Sequence, residues 1–276
     1  MSTHKPMLHW LIIILLLCAV LYAAVCALMY FQQRKLMYLP QYTRAAAAQT
    51  NFQMLQGGVV LRGWQDHPQG HTSAQPAPDA VVYLGGNAER VELALPMLRQ
   101  WLPESSIYTL AYRGFGASDG TPTEANLVPD ATALLAEVQR LHPNGKVVLV
   151  GRSLGSGVAA SVAAQRAPSA LVLITPFDNM LATVRDHYGW LPVSLLLHDR
   201  YPSDERLQHY AGPLLVVRAG LDDLVRPART AALLQALDTR GEPAADELVF
   251  AEADHITILT EPRLGSALRV WLIRWG

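Results

Sequence analysis

Ser153 is the residue most able to act as a nucleophile, because it lies at the centre of a Gly-x-Ser-x-Gly pentapeptide, residues 151–155. An aliphatic run, residues 147–150, precedes the pentapeptide, and a stretch of small residues, 158–166, follows it. Strand, sharp turn and helix in this order are typical of a nucleophile elbow, which exposes the serine hydroxyl at the end of a sheet. A plain glycine turn is the alternative interpretation, so the elbow also requires a base and an acid elsewhere in the chain.

A serine hydroxyl needs a base to take its proton, and His255 is the candidate. Of the nine histidines it is the one that follows a predicted strand, residues 247–251, near the C-terminus. The chain order Ser, acid, His requires the base at this position. The other eight histidines are interpreted as surface or core residues.

The acid is expected after the preceding predicted strand, residues 214–217, where Asp222 and Asp223 offer adjacent carboxylates. One of them can orient the imidazole, while the other caps the turn or faces solvent. Asp178, after an earlier strand, is a weaker third candidate. Asp254 is interpreted as a turn residue beside the base.

The oxyanion that forms during acyl transfer needs backbone N–H donors that already face it. Leu154, the residue after the nucleophile, is expected to supply one donor. Asn87 is expected to supply the other, from the glycine-rich turn after the predicted strand 80–84. A plain Gly-Gly turn is the alternative at this position.

Short apolar strands alternate with helices along the chain. Strands are predicted at residues 51–55, 59–64, 80–84, 107–111, 147–150, 170–174, 214–217 and 247–251, and helices at 89–101, 123–141, 158–166, 228–237 and 264–274. The first two strands flank Gly57-Gly58 and form a predicted hairpin, and residues 65–79 are a predicted loop. This order predicts an α/β fold whose mostly parallel sheet is covered by helices on both faces, with sites at the carboxyl ends of the strands.

Residues 10–31 form an apolar stretch without a charge, long enough to span a bilayer as a helix. A cleaved signal peptide and a lipid-modified Cys26 are the alternatives. Val25 is a poor residue before a cleavage site, and the apolar core is long, so an uncleaved single-pass anchor is favoured. The flanking charges favour a cytoplasmic C-terminal flank by too small a margin to assign the side of the membrane.

Composition excludes several classes of protein. The net charge of −1 gives no basic stripe for nucleic acid. Both cysteines, Cys18 and Cys26, lie in the apolar stretch, so the rest of the chain has no thiolate nucleophile, disulfide or cysteine metal site. No cofactor and no metal are expected, and the sequence does not indicate an oligomeric state. The predicted organisation is a tail and anchor, residues 1–33, and a catalytic domain, 34–276, with a short cap insertion at 176–213.

The motifs together resemble the α/β-hydrolase superfamily of serine hydrolases, and more closely its membrane-anchored BEM46-like group, relatives of the ABHD13 and ABHD17 type. The likeness begins at about residue 34 and extends to the C-terminus. It rests on residues 34–40, on the Tyr-Arg-Gly-x-Gly-x-Ser-x-Gly-x-Pro pattern at 112–122, and on residues 175–178 and 199–201.

The resemblance implies a catalytic triad of Ser153, Asp223 and His255. In that group the acid lies three residues after a glycine and four before a proline, which selects Asp223 over Asp222. The group usually has His-Gly-Asn at the oxyanion turn, whereas this chain has Gly85 in place of the histidine. The support of the turn is therefore expected to differ.

The sequence predicts a membrane-tethered serine hydrolase that cleaves an ester or thioester of a small or lipid-like acyl compound. A serine peptidase of the same fold is the second hypothesis. A catalytically silent interaction module is the third, and the intact serine, acid and histidine argue against it. The apolar patch at residues 190–197 is interpreted as an acyl-binding wall, a membrane contact or ordinary packing of the cap.

Overall fold

A computed structural model of the chain describes residues 4–70, 79–238 and 244–275. The strands are β1 (Phe52–Gln56), β2 (Val59–Asp66), β3 (Ala80–Leu84), β4 (Ser106–Leu110), β5 (Val147–Arg152), β6 (Ala170–Ile174), β7 (Leu214–Ala219) and β8 (Asp246–Phe250). The α-helices are α1 (His4–Tyr38), α2 (Leu95–Trp101), α3 (Glu124–Leu141), α4 (Leu154–Gln165), α5 (Met180–Tyr188), α6 (Val193–Leu196), α7 (Ser203–Arg206), α8 (Pro227–Leu237) and α9 (Leu264–Arg274). Residues 71–78, most of the predicted loop 65–79, lie outside the described residues. Residues 65 and 66 of that loop belong to β2.

The strands form one sheet in the order β1-β2-β4-β3-β5-β6-β7-β8. β2 runs antiparallel to β1 and β4, and each pair from β4–β3 to β7–β8 is parallel. The predicted mostly parallel sheet is confirmed. Because the carboxyl ends of β3, β5, β7 and β8 point the same way, the loops after these strands meet at one edge of the sheet.

Burial along the strands follows their position in the sheet. Every residue of β3, β4, β5 and β6 is buried, whereas burial alternates along the edge strand β1. Helices cover both faces: α3 packs with α4, and α2 packs with α9. The apolar runs of the central strands are therefore buried on both sides, as the α/β pattern predicts.

The hairpin and the helix starts follow from local sequence. Gly57 and Gly58 have φ angles of 55° and 76°, which suits the tight turn between β1 and β2. Thr123 caps α3, since its side chain accepts a hydrogen bond from the amide of Asn126. The helix predicted at 89–101 is shorter: a 3₁₀ turn (Val91–Ala94) precedes α2, where Pro96 occupies the first turn.

The segment 112–122 connects the edge of the sheet to α3. Arg113 donates two hydrogen bonds, of 2.6 and 2.8 Å, to the buried carboxylate of Asp130 on α3. Gly114 and Gly116 have φ angles of 77° and 54°, which glycine adopts without strain. The pattern that resembles a family motif is thus a structural element beside the site.

The insertion between β6 and β7 contains α5, α6 and α7 and lies within the predicted cap, residues 176–213. Leu191, Val193 and Leu197 are buried in a small apolar cluster of their own. Val25 and Met29 of α1 pack against this cluster. The cap is therefore held between the rest of the domain and α1.

α1 is a continuous helix of 35 residues, long and apolar enough to cross a membrane by length and composition. Its last turns belong to the domain, because Tyr38 is fully buried. The Tyr38 hydroxyl donates a 3.0 Å hydrogen bond to Asp199, and Arg34 makes a two-point ion pair with the same carboxylate. Burial raises the pKa of the Tyr38 phenol, so its hydroxyl stays protonated and keeps donating.

Candidate active site

Ser153 occupies a strained turn between β5 and α4. Its φ of 51° and ψ of −120° lie outside the regions that non-glycine residues usually adopt. A Cβ atom at Gly151 would collide with the carbonyl oxygen of Gly155, and one at Gly155 would collide with the carbonyl oxygen of Leu84. Both glycines are therefore required by space, as the elbow predicts.

His255 lies beside this serine, in the loop after β8. Its Nε2 is 2.9 Å from Ser153 Oγ, and the side chain is almost fully buried. Asp254 accepts hydrogen bonds from the amides of Ile256 and Thr257, so it is a turn residue, as predicted. The structure thus brings together the predicted nucleophile and base, from positions 102 residues apart.

The acid beside His255 is Asp222, and the selection of Asp223 is wrong. Asp222 Oδ2 lies 2.7 Å from His255 Nδ1, and Asp222 is 4% exposed. Its Oδ1 accepts hydrogen bonds from the amides of Leu224 and Val225. These two hydrogen bonds hold the Asp222 side chain toward His255. Asp223, the next residue, is exposed to solvent.

The weaker candidates lie elsewhere. Asp178 pairs with Arg229 at 3.1 Å, and burial raises the pKa of its carboxyl. His187 lines the cavity described below, with Nε2 2.9 Å from the carbonyl oxygen of Leu224. His71 lies outside the described residues. In the part of the chain that the structure describes, no group of three His, Cys, Asp or Glu side chains is placed to hold a metal ion.

The glycine-rich turn after β3 lies directly over the nucleophile. A Cβ atom built on Gly86 would be 3.3 Å from Ser153 Cβ. Asn87 and Leu154 line the cavity next to Ser153. Leu154 is the first residue of α4, and an amide there has no acceptor within its own helix. The two predicted donors are therefore close to the serine, as an oxyanion site requires.

Glu89 and Arg152 connect this turn to the histidine loop, and sequence reasoning missed both. Glu89 Oε2 accepts hydrogen bonds from the amide of Gly86 at 2.6 Å and from Arg152 at 2.8 Å. Arg152 also donates to the carbonyl oxygen of His255 at 2.9 Å. The signal was available, because Arg152 is a charged residue within a strand that is otherwise apolar, and its buried charge requires a partner.

Two tyrosines support the same turn from below. Tyr83 donates a 2.6 Å hydrogen bond to Glu89, and Tyr112 donates one of 3.0 Å to the carbonyl oxygen of Gly85. Burial raises the pKa of both phenols well above the usual value, so they remain neutral donors. These contacts support the turn at Gly85.

An apolar cavity of about 240 Å³ opens from Ser153. Its walls come from the cap, from the turn after β3, from the loop after β7 and from α1. Apolar side chains of α1 and the cap that line it include Met29, Leu36, Met37, Leu191, Leu196 and Leu197. Ser153 therefore lies beside a space suited to a hydrocarbon group.

Comparison with known proteins identifies the family. The family model described as serine aminopeptidase, S33, matches residues 77–197. An uncharacterised protein of Mycobacterium tuberculosis strain H37Rv is 37% identical over 207 residues, which cover 70% of this chain and 71% of that protein. The structure of Est1E from Butyrivibrio proteoclasticus with bound ferulic acid has a TM-score of 0.65 at 13% identity, over 82% of this chain and 99% of that chain. The chain belongs to the same family as the mycobacterial protein, and it has the α/β-hydrolase fold.

Another relative of this α/β-hydrolase carries an activity in its name. The lysophosphatidylserine lipase ABHD12 of Danio rerio is 29% identical over 208 residues, which cover 62% of this chain and 53% of the lipase. The esterase PF2001 of Pyrococcus furiosus shows the same fold, with a TM-score of 0.65 at 18% identity over 81% of this chain and 91% of that chain. The chain is thus similar to a lipase in sequence and to an esterase in fold.

Proposed function

We propose that this protein is a membrane-anchored serine hydrolase that cleaves an acyl ester or thioester through an acyl-enzyme on Ser153. One observation carries the proposal: an unbroken series of contacts links Asp222 to His255 at 2.7 Å and His255 to Ser153 at 2.9 Å. The series ends at the apolar cavity. A buried carboxylate on Nδ1 orients the imidazole so that Nε2 can accept the serine proton.

The reaction proceeds in two halves. Ser153 Oγ attacks the acyl carbonyl as His255 Nε2 takes its proton, and the N–H groups of Leu154 and Asn87 stabilise the oxyanion. The tetrahedral intermediate then expels the alcohol or thiol, which receives the proton from His255. In the second half, a water molecule gives a proton to His255 and attacks the acyl-enzyme. The carboxylic acid leaves, and Ser153 regains its proton.

The cavity favours an ester over a peptide substrate. An aminopeptidase must bind the ammonium group of its substrate, for which a carboxylate is the usual partner. Among the described residues that line the cavity there is no aspartate or glutamate. The complete set of serine, histidine and buried acid favours an enzyme over a silent interaction module.

The relatives suggest the first substrates to test. The zebrafish relative is named as a lysophosphatidylserine lipase, and the 112–122 and 199–201 motifs support placement in the BEM46-like group. A glycerophospholipid with a single acyl chain is therefore our first candidate, since it offers one ester beside one hydrocarbon chain.

Anchoring by α1 is part of the same proposal. The residues that follow the apolar stretch are built into the domain through Arg34 and Tyr38. A helix that continues directly into a folded domain suits a retained anchor better than a removed leader. Residues 1–33 then form the tail and anchor, and residues 34–276 form the hydrolase domain.

A fluorophosphonate probe tests the proposed nucleophile. The full-length protein in detergent should be labelled, with the adduct on the peptide that contains Ser153, while Ser153→Ala should not be labelled. Ser156→Ala is the matched control, because Ser156 is the next serine and its hydroxyl bonds to the carbonyl oxygen of Ser153. Labelling of Ser153→Ala at the level of the parent protein would refute the assignment.

A further inference from the structure

α1 contributes four of the residues that line the cavity beside Ser153. We call this the α1 wall, and it consists of Met29, Gln33, Leu36 and Met37. These residues are spaced four, three and one apart, so they lie on one face of the helix. A helix that served only as a tether would not reach the substrate cavity.

Polar contacts hold the α1 wall against the cap. Gln33 donates a 2.9 Å hydrogen bond to the carbonyl oxygen of Leu196, and its Oε1 accepts one of 2.8 Å from the amide of His198. The Arg34 pair with Asp199, also a cap residue, fixes the end of the helix, and the Asp199 carboxylate is almost fully buried. The wall is thus a built surface held in place by polar contacts with the cap.

The contact between α1 and the cap extends into the apolar stretch of the helix. The Tyr22 hydroxyl donates a 3.0 Å hydrogen bond to the carbonyl oxygen of Trp190, and Val25 packs on the apolar cluster of the cap. Tyr22 and Met37 are about 22 Å apart along the helix axis at a rise of about 1.5 Å per residue. The boundary between α1 and the cap, which we call the groove, therefore runs from the candidate membrane-spanning segment to the cavity.

The cap surface beside this groove suits the interior of a bilayer. Trp190 and Leu195 are 60% and 80% exposed although both are large apolar residues. Apolar side chains on one side of a surface helix can enter the boundary between lipid headgroups and acyl chains. With α1 in the bilayer, the contact with Tyr22 places Trp190 beside the membrane-spanning segment.

We propose that the α1 wall is part of the substrate site, and that the acyl chain of a membrane lipid moves from the bilayer, between α1 and the cap, to Ser153. This inference rests on the serine hydrolase activity and the anchoring proposed above. The wall is aliphatic apart from Gln33, whose polar atoms are held by the cap. Methionine at two of its four positions provides a flexible surface that adapts to a hydrocarbon chain.

Substitutions on the two faces of α1 test the wall. Met29→Trp places a bulky ring in the groove, and Leu28→Trp places the same ring on the exposed face at nearly the same depth. The full-length protein in phosphatidylcholine vesicles is assayed with p-nitrophenyl palmitate and p-nitrophenyl acetate. Met29→Trp should lower the ratio of palmitate to acetate kcat/KM by about tenfold or more, as expected for a blocked apolar pocket, whereas Leu28→Trp should leave the ratio unchanged.

The outcomes separate this inference from the proposed function. An unchanged ratio in Met29→Trp, with acetate hydrolysis intact, would overturn the α1 wall and leave the serine hydrolase standing. If the parent protein does not hydrolyse the acetate ester, the proposed function itself is overturned. Equal falls in the ratio for Met29→Trp and Leu28→Trp would also overturn the wall, because the effect would not depend on the face of the helix.

A second measurement distinguishes a bilayer source from a dissolved one. Palmitate ester is supplied at constant bulk concentration while phosphatidylcholine is added, so that its mole fraction in the vesicles falls. A rate that follows the mole fraction supports entry from the bilayer. A rate that follows the bulk concentration would overturn the route along α1.

Discussion

Asp222 and Asp223 are adjacent residues with opposite surroundings. Asp222 is 4% exposed and contacts His255, whereas Asp223 is exposed. A carboxylate must be both close and shielded from water to orient an imidazole effectively. The two residues therefore allow the effect of a buried carboxylate to be compared with that of an exposed one in the same loop.

Asp222→Asn and Asp223→Asn should separate these roles. We expect Asp222→Asn to lower kcat for p-nitrophenyl acetate by a factor on the order of 10⁴, because the amide holds the wrong histidine tautomer. Asp223→Asn should change kcat by less than about twofold, since it alters an exposed carboxylate. Steady-state kinetics on both purified variants decides the matter, and a larger loss in Asp223→Asn would contradict the geometry.

Glu89 is expected to act as a positioning residue. Glu89→Gln weakens its contact with Arg152 and so loosens the oxyanion turn. We expect kcat to fall by about tenfold to a hundredfold with little change in KM, because small misplacements of this kind affect the transition state most. The control is Glu92→Gln, which removes a carboxylate of the same segment that pairs with Arg90 and not with Arg152.

The interpretation of these two variants depends on whether kcat or KM changes. A higher KM at constant kcat in Glu89→Gln would show a substrate contact and argue against a positioning role. Equal effects of Glu89→Gln and Glu92→Gln would assign both to general stability.

The sequence allowed Ser153 and His255 to be predicted together because chain order and strand position are local signals. The acid was predicted at the wrong residue because the inward direction of its side chain depends on the turn, in which Asp222 binds the amides of Leu224 and Val225. The Glu89–Arg152 pair was missed because its members lie 63 residues apart. Spacing along the chain does not show which buried charges are neighbours.

The elbow is the element in which sequence and structure agree most closely. Glycine is required at both positions because the carbonyl oxygens of Leu84 and Gly155 leave no space for a side chain. The central strands were also predicted well, because strands buried on both faces are continuous apolar runs. The cap helices α5 to α7 were not predicted, since α6 and α7 have only four residues each and give no clear periodicity.

Gly155→Ala should be costly at the element scale. The added methyl group collides with the turn over Ser153, so we expect a loss of about 1–3 kcal/mol in the free energy of unfolding together with loss of fluorophosphonate labelling. Urea denaturation followed by tryptophan fluorescence measures the stability. Gly189→Ala is the control, because its φ of −60° suits any residue, and an equal loss there would contradict the steric explanation.

At the scale of the whole molecule, α1 and the catalytic domain form one continuous body. The helix ends at Tyr38, which is buried in the domain and bonded to Asp199 and Tyr201. No flexible linker separates the apolar stretch from the fold. The sequence predicted the anchor from composition alone, but this docking depends on residues more than 160 positions apart and could not be predicted from spacing.

The expressed chain should therefore behave as an integral membrane protein. It should stay in the membrane pellet after alkaline carbonate extraction, because about 20 apolar residues in a bilayer resist extraction. Intact mass spectrometry of the extracted protein should show that residues 10–31 are retained. A soluble product that lacks these residues would contradict the anchor and support a cleaved leader.

The unbroken helix also has a consequence for regioselectivity. If α1 crosses the bilayer as proposed, its connection to Asp199 fixes the position of the domain, and with it Ser153, relative to the membrane. Lipid esters differ in their depth within the headgroup region. The bond that is cleaved is then selected by its depth in the membrane, so lipids with different headgroups but esters at the same depth become equivalent substrates.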